Sequence, residues 1–456
     1  LRATSLDRDE EIGRAWHAGF AGWLGLSGPL HRETSRHNIS SNSPRTCESL
    51  TRPDASAMTS FNLSKLLHPL PEREFLKQYL HRNFLHVPGP PGKFHLLFTW
   101  DDLNRIFEEH RLEPPLVMLR KDGEDIDPAE YLNHIRTPYE NSLPIINPGK
   151  LAALMRDGAT LSLHEMHWIH RPLNLLLGNL GRQFTGPCDV ILFASFGSKR
   201  AIAPHEDGDD QFILQLAGRK YWHVYGPNEP NPIRKPIWHE STEPKRPPIW
   251  EGMLNAGDVL YMPRGWWHEV RSVNEPSLHL AVGLPVNTPM DLIHWALPVL
   301  AKQDLLRENL PRFGDRATRR AFRERMIAAI NSALHVDILD DYFHGVDADA
   351  RPAIANPTFP WSASADSSLP ENSHTPVRFT GLGWSELEGD GKEFTFRSLG
   401  RDWTYPRAAG RFLRPLLDGQ VLALGQVRQL ARKELGPQET DRVIRDAVRS
   451  GLLTFG

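Results

Sequence analysis

Five short runs between residues 190 and 284 constrain this chain more than any other feature. VILFASF (190–196), QFILQLAG (211–218), KYWHVYG (220–226), DVLYMP (258–263) and SLHLAVGL (277–284) are rich in β-branched and aromatic residues. Each ends on, or one residue before, a glycine or proline. Runs this short and this regularly punctuated predict strands of a β core, arranged as a sandwich, a jelly roll or a barrel.

The flanks read differently. Leu63, Leu66, Leu67, Leu70, Phe75 and Leu80 predict short helices interrupted at Pro69 and Pro71, and TWDDLNRIFEEHRL (99–112) predicts another. PPLVMLRKDGEDID (114–127) reads as a strand running into a turn at Asp122 and Gly123. DPAEYLNHI (127–135) and NPGKLAALMRDGATL (147–161) read as two more short helices, the second ending near Gly158. After Pro289 the pattern is helical again, through DLIHWALPVLAKQDLL (291–306) and RRAFRERMIAAINSAL (319–334). The expected organisation is a disordered extension over 1–57, a domain holding the β core over 58–290, a helical segment over 291–355, a polar linker over 356–376 and a C-terminal domain over 377–456. Trp16, Phe20, Trp23 and Leu24 suit one short amphipathic helix within the extension. In the C-terminal domain RFLRPLLDG, GQVRQLARKELG and PQETDRVIRDAVRSGLLTFG suggest two or three helices and a final strand, the outline of a winged-helix module. Ten Arg and Lys against six Asp and Glu over 401–456 give a surplus of four, which suits an acidic partner or simply a solvated helical face.

Composition removes several function classes. Two cysteines, Cys47 and Cys188, cannot build a disulfide framework, a cysteine-based zinc site or an iron–sulfur cluster, and they suit a reducing, intracellular setting. A net charge of −3 argues against a bulk electrostatic grip on nucleic acid, while leaving a local basic patch open. No run of about 18 apolar residues is present, and the first residues lack the basic-then-apolar layout of a signal peptide. The expectation is a cytoplasmic protein with no membrane partner.

The chemistry concentrates in APHEDGDDQ (203–211). On a strand, His205 and Asp207 point to one face and offer two thirds of a 2-His-1-carboxylate facial triad, the donor set that holds Fe(II) with open positions. Spacing alone is weak: LHVDILDD holds a second such pair, His335 and Asp337, in a region that reads as helix. The plain alternative for 203–211 is an acidic surface turn. Sixty-one residues after Asp207, GDVLYMPRGWWHEV brings His268 at the start of another strand, either as the third ligand or as a histidine packed behind Trp266 and Trp267. Lys220 follows a Gly218 turn, between Arg219 and Tyr221, on a strand expected to pair with the one before it. Turned outward it is an ordinary surface lysine; turned inward it needs an anion. A dicarboxylate that chelates the metal through a 2-oxo acid and meets Lys220 with its far carboxylate satisfies both demands.

Together, His205 to Asp207, FILQLAGRKYW (212–222), GDVLYMPRGWWH (257–268) and SLHLAVGL resemble the JmjC oxygenases of the cupin type, particularly the ribosomal-oxygenase branch and its bacterial relatives. The resemblance covers roughly 60–290 and includes EHRLEPPLVMLRKDG (109–123). It implies a double-stranded β-helix core wrapped by helices, with a helical dimerisation segment and a winged-helix-like C-terminal module. It also implies Fe(II) at His205, Asp207 and His268, 2-oxoglutarate gripped by Lys220, and O2 as the oxidant. Ser195, His279 and Gln211 stand where relatives place polar contacts to the cosubstrate. Some relatives have Asn and Tyr where this chain has Ile191 and Phe193, which puts the exact cosubstrate contacts in question.

The resemblance implies hydroxylation of a protein or peptide side chain, a ribosomal protein foremost, with release of succinate and CO2. Rival readings are the same chemistry on a small molecule, a biosynthetic peptide or tRNA, and a metal-binding cupin that serves as an interaction module. Other motifs fall away. LHEMHWIH (163–170) has Trp168 where a zinc protease needs histidine and reads as part of a helix leading to the core. GLGWSE (381–386) and GPPGK (89–93) lack the spacing of nucleotide-binding loops.

Overall fold

The structure, a computed structural model, describes residues 61–139, 142–197, 202–232, 243–352, 357–363, 368–387, 391–432 and 434–456. The expected extension over 1–57 lies outside the described residues.

Two short helices, α1 (Leu63–Leu67) and α2 (Glu72–Gln78), precede β1 (Leu85–Val87) and α3 (Trp100–Glu109), whose start is closed by a reciprocal cap between Thr99 and Asp102. Then come β2 (Val117–Lys121), β3 (Glu124–Asp125), β4 (Leu132–Arg136), β5 (Ser142–Ile146), α4 (Pro148–Arg156), β6 (Thr160–His164), α5 (Arg171–Phe184) and β7 (Asp189–Ser195). The core continues through β8 (Asp210–Ala217), β9 (Arg219–Pro227), β10 (Trp250–Asn255), β11 (Val259–Met262), β12 (Trp266–Ser272) and β13 (Ser277–Leu284). The strands form an eight-stranded sheet in the order β1-β11-β8-β13-β7-β6-β2-β3 and a three-stranded sheet in the order β10-β9-β12, with every pairing antiparallel.

Alternation along the central strands sorts their side chains. Val190, Leu192 and Ala194 of β7, Phe212 and Leu214 of β8, and Leu278, Leu280 and Val282 of β13 join Leu173, Leu176 and Leu180 of α5 in one core. Alternate residues face the other sheet, where Ile213, Trp222, Val224, Leu254, Leu260 and Met262 form a smaller core. One face of the large sheet is therefore covered by helices, and the other encloses the space in which the candidate site lies.

Several expectations are corrected. DPAEYLNHI forms a single turn and then β4, because the pairing of Leu132 to Arg136 with Ser142 to Ile146 overrides a weak helical pattern. Helix α4 stops at Arg156, close to the expected end near Gly158, and Thr160 and Leu161 begin β6. LHEMHWIH runs from β6 through Glu165, at φ 54, into one turn, and the helix starts only at Arg171. The strand carrying Lys220 does not pair with the one before it. Gly218, at φ 63, passes the chain from one sheet to the other, and a Cβ there would lie 2.0 Å from the Pro276 carbonyl oxygen.

Beyond the β core, α6 (Pro289–Leu300), α7 (Arg316–Ala333) and α8 (Ile338–Asp349) follow. The second His-x-Asp pair lies in the turn between α7 and α8 rather than on a helix, and His335 pairs with Asp341 at 3.1 Å. The described part of the expected linker contains neither helix nor strand up to Pro376, where β14 begins, yet it is docked: Thr358 bonds Thr454, and Trp361 packs edge-on to Phe455. The last module contains β14 (Pro376–Phe379), β15 (Ser385–Glu386), β16 (Glu393–Ser398), β17 (Arg401–Pro406), α9 (Gly410–Leu417), β18 (Leu422–Ala423), α10 (Leu424–Ala431), α11 (Pro437–Arg449) and β19 (Leu453–Phe455). It has its own core, built on Phe394, Phe396, Phe412, Leu416, Val443 and Ile444. Among the described residues no helix is long and apolar enough to cross a membrane.

A buried carboxylate ties the segment after α2 to the β core. Asp210 accepts from the Arg264 N–H at 3.0 Å and from the Tyr261 hydroxyl, and it meets His81 Nδ1 at 2.8 Å. Burial works to raise its pKa, but these bonds hold the carboxyl below its ordinary value. Its contribution to stability is therefore complete above about pH 4 and is lost as pH falls through the lower folded value. Asp210→Asn is expected to destabilise the fold by about 3 kcal/mol at neutral pH and to flatten the acid limb of stability, as measured by urea unfolding between about pH 3 and 6.

Candidate metal centre and cosubstrate pocket

His205 and Asp207 lie in the loop that leads into β8, not on a strand as expected. One backbone bridge replaces the ladder: the His205 N–H donates to the His268 carbonyl at 3.1 Å, and the His268 N–H donates back at 2.8 Å. The Gly265 N–H donates to the Asp207 carbonyl at 2.9 Å. Gly265 has φ 77, and a Cβ there would press on the Pro232 ring at 2.3 Å. Strand β12 begins at Trp266, earlier than expected, and its register against β9 shifts between Trp267 and His268. Such an irregularity re-aims a side chain next to a site.

The donor atoms of His205, Asp207 and His268 all lie within 4.8 Å of one another. His268 Nε2 is 3.7 Å from Asp207 Oδ2, and the two imidazole centroids are 4.2 Å apart. Each ring is oriented by the carbonyl two residues before it: His205 Nδ1 lies 2.9 Å from the Ala203 oxygen, and His268 Nδ1 lies 3.1 Å from the Trp266 oxygen. A carbonyl only accepts, so each Nδ1 carries the proton and each Nε2 keeps a free lone pair. Burial, and then the neighbouring His205, push the His268 pKa down to about 4, which keeps that ring neutral. Two imidazoles and a carboxylate converging from one side form the donor set that suits Fe(II) and leaves the opposite positions open.

Behind this cluster lies a pocket of about 100 Å³ between the two sheets. Lys220, Trp222, Val270 and Ser272 line it from the small sheet, and Ile191, Phe193, Gln211, Ile213 and His279 from the large one. Lys220 is 3% exposed, and burial pushes its amine down to about 7. Among the described residues no carboxylate pairs with it. His279 is also buried, its pKa pushed down by burial and then by Lys220; its Nδ1 has no hydrogen-bond partner, and its ring stacks on Phe193 at 4.9 Å. The pocket thus holds a buried amine and an imidazole nitrogen, both without partners among the described residues, that a carboxylate would satisfy.

The remaining expected residues divide. Gln211 and His279 line the pocket, whereas Ser195 lies behind it, accepting from the Ser272 hydroxyl at 2.9 Å. Ser272 and Thr160 also line the pocket and escaped the sequence reading. Ser272 was within reach, since counting in twos from His268 passes through Val270 to Ser272. Thr160 was not, because only the pairing of β6 with β7 brings it there. Ile191 and Phe193 make one wall apolar. His164, His167 and His170 do not join the cluster.

Residues 182–292 match the family model for the JmjC domain. The chain carries a JmjC domain. It is 27% identical over 260 residues to the bifunctional lysine-specific demethylase and histidyl-hydroxylase NO66 of Dictyostelium discoideum, covering 55% of this chain and 49% of that protein. It is 28% identical over 298 residues to ribosomal oxygenase 1 of Bos taurus, covering 62% of this chain and 42% of that protein. The chain therefore spans about half, or less, of the length of these curated relatives. Among solved structures, the Escherichia coli ribosomal oxygenase YcfD superposes with a TM-score of 0.52 at 16% identity, over 85% of this chain and 98% of that one. The same protein in complex with cobalt and 2-oxoglutarate gives 0.51 at 17% identity, over the same shares. At this identity the likeness establishes the fold of the JmjC domain and its surrounding helices.

Two outcomes are expected. His268→Ala and Asp207→Ala should each weaken Fe(II) or Co(II) binding more than about 100-fold, beyond the effect of losing an outer-sphere partner, while His335→Ala leaves it unchanged; anaerobic calorimetry reads this. Because the Lys220 pKa is lowered on folding, the protein free of anion should gain stability as pH rises from about 7 toward the ordinary lysine value near 10.5. Lys220→Met should abolish that gain in pH-dependent urea unfolding.

Proposed function

We propose that this chain is an Fe(II)- and 2-oxoglutarate-dependent dioxygenase that hydroxylates a side chain of a protein or peptide, a ribosomal protein foremost, and releases succinate and CO2. The observation that carries this reading is the placement of a facial His-Asp-His cluster and an unpaired buried ammonium at two ends of one small pocket. His205, Asp207 and His268 hold the metal, and Lys220 receives the far carboxylate of 2-oxoglutarate, with His279 and Gln211 beside it. Bound iron and cosubstrate supply the oxidation of a C–H bond by O2. The protein contributes orientation, through the paired carbonyls that set both imidazoles, and exclusion of water, through Ile191, Phe193, Trp222 and Val270.

A pocket of about 100 Å³ admits the small diacid and leaves a macromolecular substrate to present one side chain at the mouth. The printed names of the relatives, histidyl-hydroxylase and ribosomal oxygenase, favour a ribosomal protein. Exposed Met290, Ile293 and Leu297 on α6 and Leu339 on α8 support self-association into a homodimer through 291–355. The three helices and the sheet β18-β14-β19 support a winged-helix-like reading of 377–456. A free, buried Cys188 suits a reducing compartment, the cytoplasm.

The test begins anaerobically. Fe(II) followed by 2-oxoglutarate should produce a weak visible charge-transfer band in the wild type and none in His268→Ala. In air, incubation with ribosomal proteins should yield succinate and a peptide heavier by one oxygen atom. Iron binding without the band would sink the oxygenase reading, and the band with no oxidised peptide would redirect the substrate to a small molecule.

A further inference from the structure

A second, larger cleft, of about 350 Å³, lies between α5 and the last module, away from the pocket described above. Its charged lining side chains are all arginines. Arg171 and Arg182 reach it from the two ends of α5, and Arg378 reaches it from β14, beside its cross-strand partner Thr454. No aspartate or glutamate is among its lining residues. Glu165 approaches from the side, 3.5 Å from His167 Nε2, and is not part of the lining.

The three guanidinium groups are poorly compensated. Arg182 donates one bond, at 3.2 Å, to the Gly381 carbonyl. Arg378 Nε is buried with no hydrogen-bond partner. Burial, and then the charge of Arg171, hold Arg378 below the ordinary arginine range; crowding by protein, and then the charge of Arg378, do the same to Arg182. Like charges gathered around a cleft lined by no acidic side chain raise the local affinity for an anion. Asn174, one turn along α5 from Arg171, adds an amide on the same face.

The spacing selects the kind of anion. Eleven residues separate Arg171 from Arg182, about 16 Å along a helix, so one compact ion does not span all three groups. Guanidinium forks match phosphate oxygens in bidentate geometry. Phe379, Leu382 and Pro357 supply an apolar wall for an organic body. We infer that this cleft binds an elongated phosphorylated small molecule, a polyphosphate or polyphosphate ester, whose anionic groups engage Arg171, Arg378 and Arg182 in turn.

The test uses the full chain with iron bound and titrates pyrophosphate and tripolyphosphate by calorimetry at low ionic strength. Expected are saturable binding at one site, tripolyphosphate tighter than pyrophosphate, and a loss of at least about tenfold in Arg378→Gln, the scale of a charge-assisted hydrogen bond. Arg171→Gln, at an exposed helix start, should weaken binding without risk to folding. Lys220→Met should leave binding intact, and Arg378→Gln should leave the 2-oxoglutarate charge-transfer band intact. Absence of saturable binding, equal binding by the arginine variants, or loss of binding in Lys220→Met would each overturn the assignment. Equal affinity for glutarate would overturn the phosphate class. Tighter, Arg378-dependent binding of a single-stranded RNA oligomer would replace the small ligand by nucleic acid.

Discussion

The two backbone hydrogen bonds exchanged by His205 and His268 are the constraint on which the candidate site depends. They connect a loop without strand partners to β12, and β12 is paired with β9 over its length, so the candidate ligand set inherits the rigidity of a sheet. The same ladder places Ser272 opposite Lys220. His268 and Lys220 are therefore separated by four residues of strand, about 13 Å along the sheet, before their side chains lean into the pocket. The span offered to a chelating diacid is set by β-sheet geometry rather than by loops.

That arrangement needs both faces of the large sheet to be occupied. Val190, Leu192 and Ala194 pack toward α5 while Ile191 and Phe193 face the pocket, so a slip of one residue in β7 would exchange core and pocket wall. Asp210 adds a polar anchor next to the ligand loop. Its bonds to Tyr261 and to the Arg264 N–H hold the start of β8 against the turn that precedes β12, which is the turn whose Gly265 holds Asp207.

The five runs between 190 and 284 became β7, β8, β9, β11 and β13 with boundaries shifted by one residue at most on either side of each start, because their alternation expresses burial directly. The clustering of the candidate ligands was legible for a different reason: His205, Asp207 and His268 are chemically unusual at their spacing, and the turn residues around them mark the strand ends. What escaped depended on distant pairing. Residues 132–136 carry a weak local pattern that Ser142 to Ile146 overrides, and Thr160 acquires meaning only from its neighbour in the sheet. The loop conformation of His205 and Asp207 was likewise hidden, since one isolated bridge leaves no periodicity to read. The cleft lined by Arg171, Arg182 and Arg378 unites residues some two hundred positions apart, and no local motif announces it.

The apolar wall formed by Ile191 and Phe193 bears on how the proposed pocket works. Some members of the resembling family have polar residues at these positions, and polar groups there would share the task of holding a carboxylate. Here that wall offers no donors, so the burden in the proposed pocket shifts to Lys220 and the polar groups elsewhere in its lining, His279, Gln211, Ser272 and Thr160. The same dryness pushes the Lys220 amine to about 7, leaving a substantial fraction neutral near neutral pH when no anion is present. An incoming carboxylate favours the charged amine, so binding draws a proton onto Lys220, and affinity for the diacid falls as pH rises above 7. A desolvated lysine thus makes the pocket selective for an anion that arrives with its charge already matched, and it makes the empty state the less stable one.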